Sequence, residues 1–271
     1  MAFTNHNCFY VDKDITPYYE DGSLWDRIAG TNGYDAFEGI FPGCYFDMSR
    51  TVTAPSIGGG TQSGGKTLLV LGCNTDMNDH NVGKTMFNHI SVCAWSQFGS
   101  SMMNTTADAS TGYWNSLLNQ QIIGLPTTTG DIAGTINQQL YAEFGNHLKT
   151  VSNFFSENFN NSVNNRKNVN SGNAEMGAMT GWTQRECQAI LMNEIEVVGS
   201  IVWNSSGYDI GNPAMQYPAL MYNREEFRRL HFTYWLRDNV GKKRFSNIGL
   251  AEVAHSDANT ILSVRPRFIL A

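Results

Sequence analysis

Six apolar residues between Ile136 and Phe155 constrain the fold of this chain more than any other feature. Ile136, Leu140, Phe144, Leu148, Val151 and Phe155 follow one another at steps of four, four, four, three and four. Side chains three or four apart share one face of a helix, so the spacing predicts an amphipathic helix over the whole stretch. Gly145 falls in its middle and costs such a helix about 1 kcal/mol relative to Ala, which the stripe should absorb. A second helix is expected to open at Thr183-Gln184-Arg185-Glu186. There the Thr hydroxyl would accept from an orphan backbone N–H while the Glu carboxylate reaches back, forming a capping box. Cys187, Ile190, Leu191, Ile195 and Val198 would be its buried face and Gly199 its terminal glycine.

The rest of the chain reads as short strands and polar loops. Leu68-Leu69-Val70-Leu71 is a short apolar run bounded by glycine on both sides, which favours a buried strand. Further strands are expected at 43–48, 66–72, 89–95, 201–203, 232–236 and 264–270, with a turn at Ser206-Gly207. Leu24, Trp25 and Ile28 predict a short helix, and Asn32-Gly33 a turn. Residues 104–129 read as irregular around a helical piece at 114–118, and the Asn- and Gly-rich stretch 160–181 as a loop. Residues 1–23, with His6, Asp12, Asp14 and Pro17 in no clear period, read as an arm, with structure starting near Leu24. No repeat of about 20–50 residues and no β–α alternation is visible. The expectation is an α+β fold, with a single domain over 24–271 behind the arm.

Only 15% of the 271 residues are charged, so Asn, Gln, Ser, Thr and Gly must supply much of the polar surface. At 41% hydrophobic the chain can bury a core. The net charge is −6 and the densest basic run is Lys242-Lys243-Arg244, so a nucleic-acid partner is not expected. Cys8, Cys44, Cys73, Cys93 and Cys187 are odd in number and widely spaced, without a C-x-x-C pair, and are expected to be buried thiols. The opening residues lack the apolar segment of a secretion signal, and no run approaches the ~18 apolar residues of a membrane span. Such a composition without an export signal suits release by lysis, as in a virus particle.

Several strings imitate chemistry. Gly60-Thr61-Gln62-Ser63-Gly64-Gly65-Lys66-Thr67 matches the phosphate-cradling G-x-x-x-x-G-K-T of nucleotide hydrolases. That chemistry needs a buried strand before the loop and a helix starting at Lys-Thr. Pro55 interrupts the segment before the motif, and Leu68–Leu71 after it reads as a strand, so a glycine-rich hairpin is expected instead. Asp76, Asp79, His80 and His89 include metal-ligand types but show no helical pairing, and they read as polar loop residues. Glu194 and Glu196 are two apart and point to different helix faces; one of them is a candidate anchor for a buried Arg. Tyr234-Trp235-Leu236-Arg237-Asp238 reads as a core strand ending in a capping ion pair. Between Asp238 and Arg265 lie Phe245, Ser246, Asn247, His255, Asp257, Asn259 and Thr260, the aromatic and small polar types that binding loops on rigid scaffolds use.

The block at 234–238, Phe245 and the closing Val264-Arg265-Pro266-Arg267-Phe268 resemble the C-terminal block of a family of structural proteins from phages of gut Firmicutes. The likeness extends through 24–34, Phe41-Pro42-Gly43, Met48-Ser49-Arg50, 98–104, 136–145 and 203–209, nearly the whole chain. The resemblance implies a C-type-lectin-like domain of two helices, short antiparallel strands and long polar loops, akin to phage tropism proteins. It places the ligand-facing segment at 245–263, with Phe245, Asn247, His255, Asp257 and Asn259 as candidate contacts. Trp235, Arg237, Asp238, Arg265 and Pro266 would be the scaffold behind them. Apolar Ile248, Leu250, Val253, Ile261 and Leu262 depart from the Asn-, Tyr-, Ser- and Asp-rich pattern of diversified members. The implied role is a non-enzymatic virion surface protein, as head fibre, decoration or tail tip. It would need no metal or cofactor and would bind a host receptor or glycan. Its expected form is a homotrimer attached to other virion proteins through residues 1–23. The alternatives are a capsid cement protein without ligand and a nucleotide hydrolase through residues 60–67.

Overall fold

The computed structural model describes residues 7, 9–75, 87–160, 178–200, 216–222, 233–249 and 252–271. The chain begins with helices α1 (Thr16–Glu20) and α2 (Ser23–Ala29), then strands β1 (Tyr45–Val52), β2 (Gly65–Cys73), β3 (Ile90–Ala94) and β4 (Ser100–Ser101). A π-helical turn at Leu118–Ile123 precedes α3 (Ile136–Phe144), β5 (Val151–Asn160), β6 (Ala178–Cys187), β7 (Ile190–Leu191), α4 (Glu194–Val198) and α5 (Pro218–Tyr222). The C-terminal part is β8 (Tyr234–Asn239), β9 (Arg244–Ile248), β10 (Val253–Asp257), β11 (Leu262–Ser263) and β12 (Pro266–Leu270). One antiparallel sheet runs β1-β2-β3-β12-β7, a second runs β10-β9-β8-β11-β4 with β8 and β11 parallel, and β5 and β6 form a separate hairpin. The mixed α+β class follows.

The glycine-bounded leucine run explains the layering. Successive strand residues point to opposite faces. Leu68 and Val70 enter the main core with Leu24, Ile28, Ile136 and Phe144 of the helices. Leu69 and Leu71 face a second cluster with Tyr217, Leu220, Tyr234, Leu236 and Ile248. Because β2 is covered on both sides it needs an unbroken apolar run rather than alternation. Each such side chain contributes about 1.5–3 kcal/mol relative to exposure.

The stripe from Ile136 to Phe155 is only half helical. Thr135 and Gln138 form a capping box at the start of α3, and the helix stops at Gly145 with φ 53° and ψ −129°. Leu148 then bridges to Leu270, and Val151 and Phe155 lie on β5, still in the main core. A step of four is compatible with period 3.6 and with period 2, so the spacing alone cannot separate helix from strand. A β-carbon on Gly145 would meet nothing within 4 Å, so its role is its backbone conformation. A long helix would gain from Gly145→Ala. The observed turn predicts instead a loss of about 1–2 kcal/mol, which a urea melt would read as a lower midpoint.

Four further expectations are corrected. The Thr183 capping box does not form: Thr183 and Cys187 belong to β6, paired with Phe155 and Val151. The helix comes later, as α4, with Asn193 and Glu196 as the capping box and Gly199 as its left-handed terminus (φ 78°). Nor does structure start near Leu24. Ile15 is fully buried, Asp14 bridges to Tyr45, and the Val11 N–H donates to Pro42 at 2.9 Å. The helical piece expected at 114–118 is displaced to the π-helical turn. Of the loop expected at 160–181, residues 178–181 lie in β6. The strand at 201–203 and turn at Ser206-Gly207 lie outside the described residues. Among those described, Cys44, Cys73, Cys93 and Cys187 are buried and in no disulfide, and burial pushes the thiols of Cys44, Cys73 and Cys93 up.

Candidate functional site

The C-terminal block is organised by buried charge. Trp235, Arg237 and Asp238 lie on β8, which is buried along its length. β8 is the expected core strand, and Arg237 on it pairs with Glu196 of α4. The Arg237 guanidinium donates from Nη1 to Glu196 Oε2 at 2.8 Å and to the Leu191 carbonyl at 2.6 Å. Glu196 Oε1 meets Arg267 Nη2 at 3.1 Å, and Oε2 also accepts from the Asn193 N–H at 2.8 Å. Asp238 accepts from the Glu194 N–H at 2.7 Å, and the Ser246 hydroxyl donates to Glu194. Glu196 is thus the anchor of two buried arginines, and α4 ties β8 of one sheet to β12 of the other.

Arg265 holds the next turn. Its Nε donates to the Ala94 carbonyl at 2.9 Å, and its guanidinium lies over the Tyr234 ring at 5.3 Å. Pro266 pairs with Leu191 across β12 and β7, and Trp235 Nε1 donates to the Ser101 carbonyl at 2.9 Å. The scaffold residues expected from sequence, Trp235, Arg237, Asp238, Arg265 and Pro266, are all buried. Sequence reasoning missed the roles of Arg267 and Ser246, whose partners Glu196 and Glu194 lie 71 and 52 residues away, and the Asn193 cap that Glu196 closes.

The candidate contact residues divide. β9 is an interior strand between β8 and β10. Phe245 is fully buried in the main core and Asn247 is 1% exposed, its amide donating to Ser256 Oγ at 2.9 Å. Both are corrected from ligand contacts to packing residues, because the face of the sheet that Phe245 occupies is covered by the main core and Asn247 is closed over by its neighbours. His255 and Asp257 lie on β10, which has one neighbour among the described residues and is partly exposed throughout. Asn259 is exposed in the turn that the Thr260 N–H closes on Asp257 at 2.9 Å. Asp257 pairs with Arg244 Nε at 2.7 Å. The structure thus brings His255, Asp257 and Asn259 to one rim and leaves Phe245 and Asn247 behind it.

Burial and then the Arg244 charge hold the His255 imidazole below its usual pKa, with Asp257 opposing them. The unfolded chain therefore takes up the proton first as pH falls, and the stability linked to neutral His255 is lost below the ordinary histidine range. Urea midpoints measured from about pH 7.5 to about pH 5.5 should fall more in the native chain than in His255→Asn.

The phosphate-loop string folds as a hairpin loop. Gly65, Lys66 and Thr67 open strand β2, Lys66 lies 3.7 Å from Asp47, and Thr67 donates to Asp47 at 2.6 Å. Its glycines answer to packing: a β-carbon on Gly60 would sit 2.0 Å from the Ser100 carbonyl oxygen, and one on Gly65 2.6 Å from that of Gln97. Gly60→Ala should therefore cost about 1–3 kcal/mol, while Lys66→Ala, on a half-exposed pair, should cost under about 1 kcal/mol. The reverse order in thermal melts would contradict this packing account, and micromolar ATP binding abolished by Lys66→Ala would return the motif to nucleotide binding. His89 is buried at the start of β3, its Nδ1 3.1 Å from the Phe87 carbonyl, while Asp76, Asp79 and His80 lie outside the described residues. Among the described residues no three His, Cys, Asp or Glu are grouped to hold a metal, and no helix is long and apolar enough to cross a membrane.

No family model, curated protein or solved structure matches the chain.

Proposed function

We propose that this chain is a non-enzymatic surface protein of a bacteriophage particle, with a C-type-lectin-like arrangement that presents the β10 edge and the 257–260 turn to a host receptor or glycan. The observation that carries the reading is the buried Arg237–Glu196–Arg267 bridge, which fixes both sheets behind a partly exposed edge strand. Binding groups on a rigid support lose less freedom on contact, and three arginines and three carboxylates without catalytic exposure serve as frame rather than as acid or base. The partners proposed are other virion proteins and copies of the chain itself, as a trimer. A cement role without external ligand is favoured by the apolar part of the segment: among its described residues Ile248 is buried and Ile261 is exposed.

Antibody raised against the purified chain should label intact particles in electron micrographs. A double substitution Asp257→Ala and Asn259→Ala should then lower adsorption to host cells at least tenfold with particle yield unchanged. Unlabelled particles would refute the virion assignment. Labelled particles whose adsorption is untouched would move the reading to cement.

A further inference from the structure

The geometry points to a second binding site, in the cleft between α1, α2, α3 and β1, that takes one neutral sugar residue. The cleft encloses about 580 Å³ and shares no residue with the β10 rim. That volume lies within the ~300–1,000 Å³ of small-molecule pockets. Its wall is a locked aromatic set. Trp25 meets Tyr19 edge-on at 6.0 Å and Phe144 edge-on at 6.3 Å, and stacks on His147 at 3.8 Å and 12°. His147 is itself fixed by Nδ1, 2.8 Å from the Ala271 carbonyl. Rings held by one another pay little entropy on contact with a ligand.

The polar lining decides the class of occupant. Glu143 accepts from the Tyr19 hydroxyl at 2.7 Å and from the Ser49 N–H, both on Oε1, so Oε2 carries no hydrogen bond from the described residues. Glu20 and Asp47 add two carboxylates, and Lys66, half exposed, adds an ammonium. Three carboxylates repel a phosphate, a uronate or any other anionic ligand. A cationic side chain meets the Lys66 ammonium and finds two of the carboxylates already engaged, Glu143 by Tyr19 and Ser49 and Asp47 by Thr67 and Lys66. A neutral polyol uses both signs. Its hydroxyls donate to the carboxylates and accept from Lys66, while its C–H face packs on the rings.

The test is saturation-transfer NMR on the whole chain with glucose, galactose and N-acetylglucosamine. Glucuronate and free lysine serve as the anionic and cationic probes, each at about 10 mM, tenfold above a dissociation constant of about 1 mM. At least one neutral sugar should receive saturation, and Glu143→Gln and Lys66→Ala should each weaken it at least fivefold with the melting temperature kept. If Glu143→Gln fails to fold, Glu20→Gln takes its place in the comparison. No transfer to any neutral sugar overturns the proposal. So does stronger transfer to glucuronate or lysine, or binding that the substitutions leave unchanged. An altered β10 rim should leave this binding intact, which separates the two sites.

Discussion

Glu196→Ala should lower the melting temperature by about 8–24 °C. Glu196 is fully buried, and its two oxygens meet Arg237 at 2.8 Å and Arg267 at 3.1 Å. Removing it strands two guanidinium charges beside an empty volume, and breaking a buried pair in this way costs about 3–5 kcal/mol. The same change deletes the bond from the Asn193 N–H that closes the α4 capping box, a further ~1 kcal/mol. At about 2–4 °C per kcal/mol for a domain of this size, the sum gives the stated shift. Glu196→Gln keeps the shape and one acceptor and should fall between the two. A melt of Glu196→Ala within about 2 °C of the native chain would show that the sheets are held by apolar packing alone.

The same cluster shows where reading the sequence succeeds and where it stops. Leu68–Leu71 declares its strand because glycine bounds it and both faces must be covered. Gly199 declares a helix end because only a residue free of Cβ strain sits easily at φ 78°. The stripe to Phe155 misleads because its steps of four satisfy two periods at once, and the decisive residue, Gly145, signals a stop only through its dihedral angles. Thr183 and Glu186 have the right spacing for a cap, yet a paired strand, with Arg185 bridging to Glu157 at 2.5 Å, claims them first. Arg265 and Arg267 flank a proline, and nothing beside them in the sequence shows what partners them. Their burial depends on partners such as Glu196, 71 residues from Arg267, which no local pattern announces. Resemblance puts Phe245 at the binding face, whereas the side chain is fully buried in the main core. The cleft at Trp25 left no trace in the sequence, since its walls come from five separate elements.

Deleting residues 1–23 should abolish cooperative folding rather than release an intact domain. An arm that merely tethers would leave the rest undisturbed, but this segment is built into the fold. Ile15 is fully buried, and losing a core isoleucine alone costs about 2–5 kcal/mol. The deletion also removes the backbone bonds from the Ile15 N–H to Tyr45 at 2.8 Å and from the Tyr45 N–H to Lys13 at 2.9 Å. The Thr16 hydroxyl that accepts from the Asp47 N–H at 3.0 Å goes too, as do both bonds between Asn7 and Cys73. Tyr19, which packs on Trp25, Phe46 and Phe144, disappears with them. A native domain has only about 5–15 kcal/mol in hand, so these losses together exceed or consume it. Near-ultraviolet circular dichroism should show the aromatic signal collapse, and a cooperative melt within about 5 °C of the native chain would contradict the account. Attachment through the opening residues can therefore be examined only with a cut before Asn7, which keeps every contact described for α1. A cut at 23 would confuse a chain that cannot bind a particle with one that cannot fold.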